Sequence, residues 1–228
     1  MIPWLLLDTA DVPDGGGTLR LMRRGGEFSI MAGATELMNS RLSGSEEALA
    51  ALASARLQDC AAPRVLIGGL GMGFTLRAAL AAFGAEARIV VAELVPAVVA
   101  WARGPMAALY GDCLADPRLD LWTGDVAALI RAEADAFDAI LLDVDNGPDG
   151  LTRAANDSLY DAAGLRAALR ALRPGGLLAV WSSGPDAGFT QRLKRGGFAV
   201  EEVRVRANGK RGGARHVIWV ATKAARRA

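Results

Sequence analysis

Histidine, cysteine and long apolar runs are what this sequence has least of. His216 is the single histidine, and Cys60 and Cys113 stand far apart, without metal-ligand spacing. A structural zinc site is therefore not expected, and the thiols read as free in a reducing cytosol. No run of 18 or more apolar residues occurs, which argues against a transmembrane helix. The first residues, MIPWLLLDTADVP, carry neither a basic region nor a long apolar segment, so they do not read as a signal peptide. Aromatic residues amount to 6%, and no aromatic platform for nucleic acid stands out.

What is present is enough for a large core. Apolar residues make up 52% of 228, which fits one large domain or a domain with a small appendage. The net charge is +1 but unevenly spread. Residues 192–228 hold 11 Lys/Arg and 2 Asp/Glu, leaving 15 basic and 23 acidic residues in 1–191. Such asymmetry can mark an acidic ligand or nucleic acid, or simply a solvated hairpin and tail.

The most informative stretch is Arg64–Arg77, RVLIGGLGMGFTLR. An apolar run, Val65 to Ile67, ends in Gly68, Gly69, Gly71 and Gly73, and a helix-compatible segment starts at Phe74. This pattern reads as a buried strand, a tight turn and a helix N-terminus. Glycines there allow close approach of backbone to ligand, and free N–H groups suit a polar or anionic one. No Gly-Lys-Ser/Thr follows, so a phosphate-binding P-loop is not expected; a dinucleotide stays open, although the third glycine of GxGxxG would fall at Phe74. Residues 88–92 read as a second strand, with Glu93 at its tip, where a carboxylate can accept hydrogen bonds from ribose hydroxyls.

Strand patterns fall at 64–68, 88–92, 119–122, 138–142, 176–181, 198–206 and 216–222. Helical patterns fall at about 74–83, 96–109, 125–133, 159–172 and 186–195. Their alternation implies a largely parallel, doubly wound α/β sheet with helices on both faces. The last two strands are joined by the short loop 207–214 and should be antiparallel. This is the Rossmann-like, seven-stranded layout of the class I AdoMet-dependent methyltransferase fold. Before it, residues 4–8 and a hairpin about Gly25-Gly26 predict a small β unit. Residues 33–41 read as irregular. Ser43 or Ser45 can cap a helix over about 46–58. The expected division is a β unit at 1–42 and a cofactor-binding domain at 43–228.

Ligands of such sheets bind beyond the carboxyl ends of the strands. The third strand is followed by Gly124 and Asp125, an adenine acceptor, a helix cap or both. The fourth ends in Asp143, after the apolar run Ala139–Leu142, followed by Val144, Asp145, Asn146, Gly147 and Pro148. A carboxylate at the end of a buried strand is partly desolvated, its pKa is raised, and it can serve as a base for an amine. Asp145 can share that field and attract a cationic substrate. Asp157 reads as a helix cap, and Tyr160 as a pocket or core residue. Trp181 to Ser183 can close the site. Trp101, Trp122 and Trp219 read as packing residues and His216 as structural.

These residues resemble the spermidine synthase family of aminopropyltransferases. Val65–Arg77 is similar to the family's first motif, Glu93 to its ribose-binding acid, and Gly124-Asp125 to its adenine-side pair. Asp143 matches the first Asp of the DSxDP motif, the amine-deprotonating base. Leu159-Tyr160 and Arg173–Gly176 also fit. The resemblance spans roughly 18–222 and implies a homodimer. Three positions depart from it. Met72 stands where the family has an Asp that contacts the aminopropyl amine, Asn146 stands at the second Asp of DSxDP, and the Gln and Tyr that hold the polyamine fall near Glu36 and Ser45.

The expectation is thus a cytoplasmic AdoMet-dependent transferase. The main reading is methyl transfer from S-adenosyl-L-methionine to a small nucleophilic, amine-like acceptor, because the loss of charge at Met72 removes repulsion of the donor carboxylate. Gly69, Gly71, Gly73, Glu93, Gly124 and Asp125 would hold the cofactor. Asp143 would be catalytic, and Asp145, Asn146 and Tyr160 would bind substrate. The alternative is aminopropyl transfer from decarboxylated S-adenosylmethionine. Further readings are an RNA-binding or RNA-modifying protein using Lys210, Arg211, Arg215, Arg226 and Arg227, and a binding-only relative. Neither a metal nor a membrane partner is expected.

Overall fold

A computed structural model describes residues 2–144, 158–209 and 212–225. Two sheets organise the chain. Strands β1 (Leu5–Asp11), β2 (Thr18–Arg24), β3 (Glu27–Ala32) and β4 (Thr35–Asn39) form an antiparallel sheet in that order. The β2–β3 turn is at Gly25-Gly26, as the sequence predicts. Strand β4 was not expected, because Thr35, Glu36 and Asn39 look like loop residues. They are tolerated because β4 is an edge strand with its own polar network. Glu36 accepts from Ser29 Oγ at 2.8 Å, Asn39 Nδ2 at 2.8 Å and Arg41 at 3.1 Å.

The main sheet comprises β5 (Arg64–Gly68), β6 (Arg88–Glu93), β7 (Leu119–Thr123), β8 (Phe137–Leu142), β9 (Leu172–Ser182), β10 (Phe198–Arg206) and β11 (Arg215–Lys223). Its order is β10-β11-β9-β8-β5-β6-β7. The five central and outer strands β7-β6-β5-β8-β9 are parallel, and β11 and β10 run antiparallel. Central strands buried on both faces read as continuous apolar runs, which is why Val65–Ile67 and Ala139–Leu142 were legible.

Helices α1 (Gly44–Arg56), α2 (Phe74–Ala82) and α3 (Pro96–Arg103) contribute to one core layer, together with Leu21 and Ile30 of the small sheet. The short α4 (Ala107–Tyr110) adds the buried Tyr110 to it. Helices α5 (Val126–Ala132), α6 (Ala162–Ala171) and α7 (Ala187–Arg195) cover the other face. The small sheet is tied to the main one by the Trp101 indole, which donates to Asp8 Oδ2 at 2.6 Å. No helix among the described residues is long and apolar enough to cross a membrane.

Three helix expectations need correction. The predicted helix 96–109 is two pieces, because Pro105 disfavours helical backbone at Gly104. The predicted helix 159–172 is regular only from Ala162, where Asp161 accepts from Ala163 and Gly164 N–H at 2.7 Å each. Asp157, expected as that cap, lies outside the described residues. At α1 the Ser43 side chain makes no capping hydrogen bond. Ser45 is instead turned inward and buried.

Candidate active site

The glycine turn sits at the carboxyl end of β5, against the ends of β6 and β8. Gly69 has φ +90°, and a Cβ there would meet the Asp143 carbonyl oxygen at 2.5 Å. Gly73 has φ +77°, and its Cβ would lie 2.4 Å from the Tyr110 ring. Both positions therefore demand glycine for conformation and for space.

Glu93 is buried behind this turn. Its Oε2 accepts from Leu70 N–H and its Oε1 from Val95 N–H, each at 2.9 Å. Burial pushes its carboxyl pKa up, and the backbone N–H groups of Val95, Leu70, Gly71 and Leu94 pull it back. The carboxylate thus clasps the turn from behind while facing the cavity in front. Gly124 donates to Glu93 O at 2.8 Å, and a Cβ at Gly124 would strike the Trp122 ring at 2.5 Å. Asp125 caps α5 by accepting from Ala127 N–H at 2.9 Å, and its other oxygen lies 3.6 Å from Arg131.

Gly69, Gly71, Glu93, Gly124, Asp125 and Asp143 all line one cavity of about 850 Å³, part of it open to solvent. Its opposite wall comes from the small sheet, including Ile30, Leu37 and Met38. An apolar wall from the small sheet thus faces a polar floor that carries Glu93, Asp125 and Asp143.

Asp143 stands at the junction with a second cavity. The two share Leu37, Met38, Gly71 and Asp143, and the second adds Glu46, Met72 and Trp181. Asp143 Oδ2 accepts from Thr75 Oγ at 2.6 Å. Burial, reinforced by the nearby Glu46 charge, pushes the Asp143 pKa up to about 7, and the Thr75 bond opposes this. Glu46 is also raised, chiefly by burial. The Ser45 hydroxyl bridges Glu46 Oε2 at 2.6 Å and His216 Nδ1 at 3.0 Å. His216 packs edge-on to Trp181, with centroids 4.8 Å apart, and burial lowers its pKa. The Trp181 Nε1 is buried without a hydrogen-bond partner.

Tyr160 is buried, edge-on to Phe189 at 5.7 Å, and its hydroxyl donates at 3.5 Å to the carbonyl of Val144, which lines the first cavity. Asp145, Asn146, Lys210, Arg211, Arg226 and Arg227 lie outside the described residues. Sequence reasoning missed Glu46 and Thr75. Thr75 was visible only as part of a motif, and Glu46 only as a helix-start charge.

Sheet order, glycine turn and strand-end carboxylates together define a Rossmann-like, class I AdoMet-transferase type of fold preceded by a four-stranded sheet. Solved structures that resemble it include spermidine synthases. The chain superposes on spermidine synthase from Thermotoga maritima with TM-score 0.76 and 17% identity, covering 97% of this chain and 74% of that one. A spermidine synthase in complex with the transition-state analogue AdoDATO gives TM-score 0.75 and 17% identity, over 97% and 73% of the two chains. A probable spermidine synthase from Corynebacterium glutamicum gives 0.64 and 15%, over 96% and 80%. No family model matches the sequence, and no curated protein matches it. At these identities the likeness is one of fold.

Proposed function

We propose that the protein is a spermidine synthase-like aminopropyltransferase that uses decarboxylated S-adenosylmethionine and an amine acceptor. The observation that carries this reading is the position of Asp143 at the junction of two cavities, one lined by Glu93 and Asp125 and a second, acidic one. In the first, Glu93 accepts from the ribose hydroxyls and Asp125 faces the base. In the second, an ammonium group meets Glu46 and Asp143. A donor carboxylate would meet the same two acids, so their charge favours the decarboxylated donor.

The reaction forms a bond from the acceptor nitrogen to the aminopropyl carbon. The carbon–sulfur bond breaks and its electron pair stays on sulfur, which leaves as neutral methylthioadenosine. The amine proton passes to the Asp143 carboxylate. Alignment of nitrogen, carbon and sulfur supplies much of the rate, and Asp143 keeps the nitrogen lone pair free. Methyl transfer rested on the missing charge at Met72. Glu46 lines the same cavity as Met72, so that cavity is not without a carboxylate. Glu36, near the position of the family's polyamine-holding Gln, is occupied by Arg41, Asn39 and Ser29. The acceptor contacts therefore differ from the family's.

The test is product analysis with each donor against a panel of diamines and polyamines, putrescine included. Aminopropylated product and methylthioadenosine are expected with the decarboxylated donor. Methylated product from S-adenosylmethionine, with no turnover of the decarboxylated donor, would overturn the proposal.

A further inference from the structure

We infer that Glu46, in the first turn of α1, selects the decarboxylated donor by pairing its carboxylate with the ammonium of the aminopropyl arm. This rests on the aminopropyl-transfer reading. A ribose held at Glu93 and a sulfur beside Asp143 leave the arm one direction, past Gly71 into the second cavity. There it runs between Met72 of the glycine turn and Glu46 of α1. The family's Asp at position 72 is replaced by an apolar side chain, and the acid comes from a different element.

Several features hold Glu46 there. Gly44 N–H donates to Ala207 O at 2.9 Å, and a Cβ on Gly44 would lie 2.2 Å from Gly209 N. The start of α1 is thereby seated against the chain that links β10 to β11. Ser45, itself 1% exposed, donates to Glu46 Oε2 at 2.6 Å and is braced by His216. Among the described residues lining the cavity none is Lys or Arg. Its titratable groups are Glu46 and Asp143, with Glu47 adding repulsion on α1 and His216 reached only through Ser45. Two partly buried acids facing one cavity are costly, and an ammonium ligand relieves that cost. The carboxylate of ordinary S-adenosylmethionine would add a third negative group to the same space.

Calorimetric titration with decarboxylated S-adenosylmethionine, S-adenosylmethionine and methylthioadenosine tests this. Methylthioadenosine lacks the charged arm and reports the nucleoside cavity alone. Glu46→Gln keeps an acceptor oxygen for Ser45, so the start of α1 stays in place. The wild type should prefer the decarboxylated donor. Glu46→Gln should cut that preference by about tenfold or more, as expected for loss of a charge-assisted pair, with methylthioadenosine binding unchanged. Glu46→Asp, which retains the charge, should retain most of the preference. The midpoint of the pH–rate profile should also fall in Glu46→Gln, because a charge that raises the Asp143 pKa is gone. A wild-type preference that survives unchanged in Glu46→Gln overturns the role of Glu46 and leaves aminopropyl transfer standing. A wild type that binds methylthioadenosine but prefers S-adenosylmethionine overturns both.

Discussion

Asp143→Asn is expected to lower kcat by about 10²–10⁴-fold, the range for loss of a positioned base. Methylthioadenosine affinity should change far less, since the contacts proposed for ribose and base are at Glu93 and Asp125. In the wild type the active form is the carboxylate, and the Asp143 pKa is raised to about 7. The rate should therefore climb with pH and level off above about 7. Thr75→Val removes the hydrogen bond that lowers this pKa, so its midpoint should move upward, opposite to Glu46→Gln. A profile flat through this region, or midpoints that move together, would remove Asp143 from the role of base.

The same residue makes a prediction about stability, with the opposite sign from activity. The folded-state pKa lies above the ordinary value of 3.8. The folded state thus binds the proton more tightly than the unfolded chain. Its contribution is favourable below about pH 4 and is lost as pH rises to about 7. Above that, wild type holds a buried carboxylate that Asp143→Asn does not. The variant should melt higher than wild type at alkaline pH, each kcal/mol recovered being worth about 2–4 °C at this chain length. A variant that melts lower than wild type above neutrality would show that Asp143 is not the buried charge described.

What the sequence disclosed, and what it hid, follows from how local each signal is. The parallel strands were legible because burial on both faces leaves long apolar runs such as Ala139–Leu142. The glycine turn, Glu93 and Asp143 were legible because each closes such a run, and strand ends are where this fold binds ligands. Strand β4 was hidden by Glu36, whose carboxylate is satisfied by partners on β3 and beyond the strand end. Glu46 was hidden because its role depends on α1 packing against β11 and the 207–209 segment, remote in sequence. Read along the chain, Ser43, Glu46 and Glu47 resemble a capping box. In the fold Glu46 lines the second cavity with the buried Ser45 bracing it, and the Met72 departure changes meaning: a charge absent from the glycine turn is present in the cavity.

Glu93 supplies the sharpest contrast with Glu46. Glu93→Ala leaves the Leu70 and Val95 N–H groups buried without their acceptor. Each unsatisfied group costs about 1–3 kcal/mol, so the variant should lose about 2–6 kcal/mol of stability and much of the order of the glycine turn. Glu93→Gln is the cleaner probe, because it keeps one acceptor oxygen and the side-chain volume. It still replaces a charged acceptor of ribose hydroxyls with a neutral one, and hydrogen bonds to charged groups are worth about 1.5–3 kcal/mol each. At 1.4 kcal/mol per factor of ten, affinity should fall by about tenfold to a hundredfold. The loss should be equal for decarboxylated donor, S-adenosylmethionine and methylthioadenosine, since the ribose is common to all three. Donor preference should therefore survive in Glu93→Gln and collapse in Glu46→Gln, one acid reading the nucleoside and the other the arm. Calorimetry on the two variants measures both quantities. If Glu93→Gln binds methylthioadenosine as tightly as wild type, the carboxylate serves only to clasp the turn, and the ribose must be held by another group.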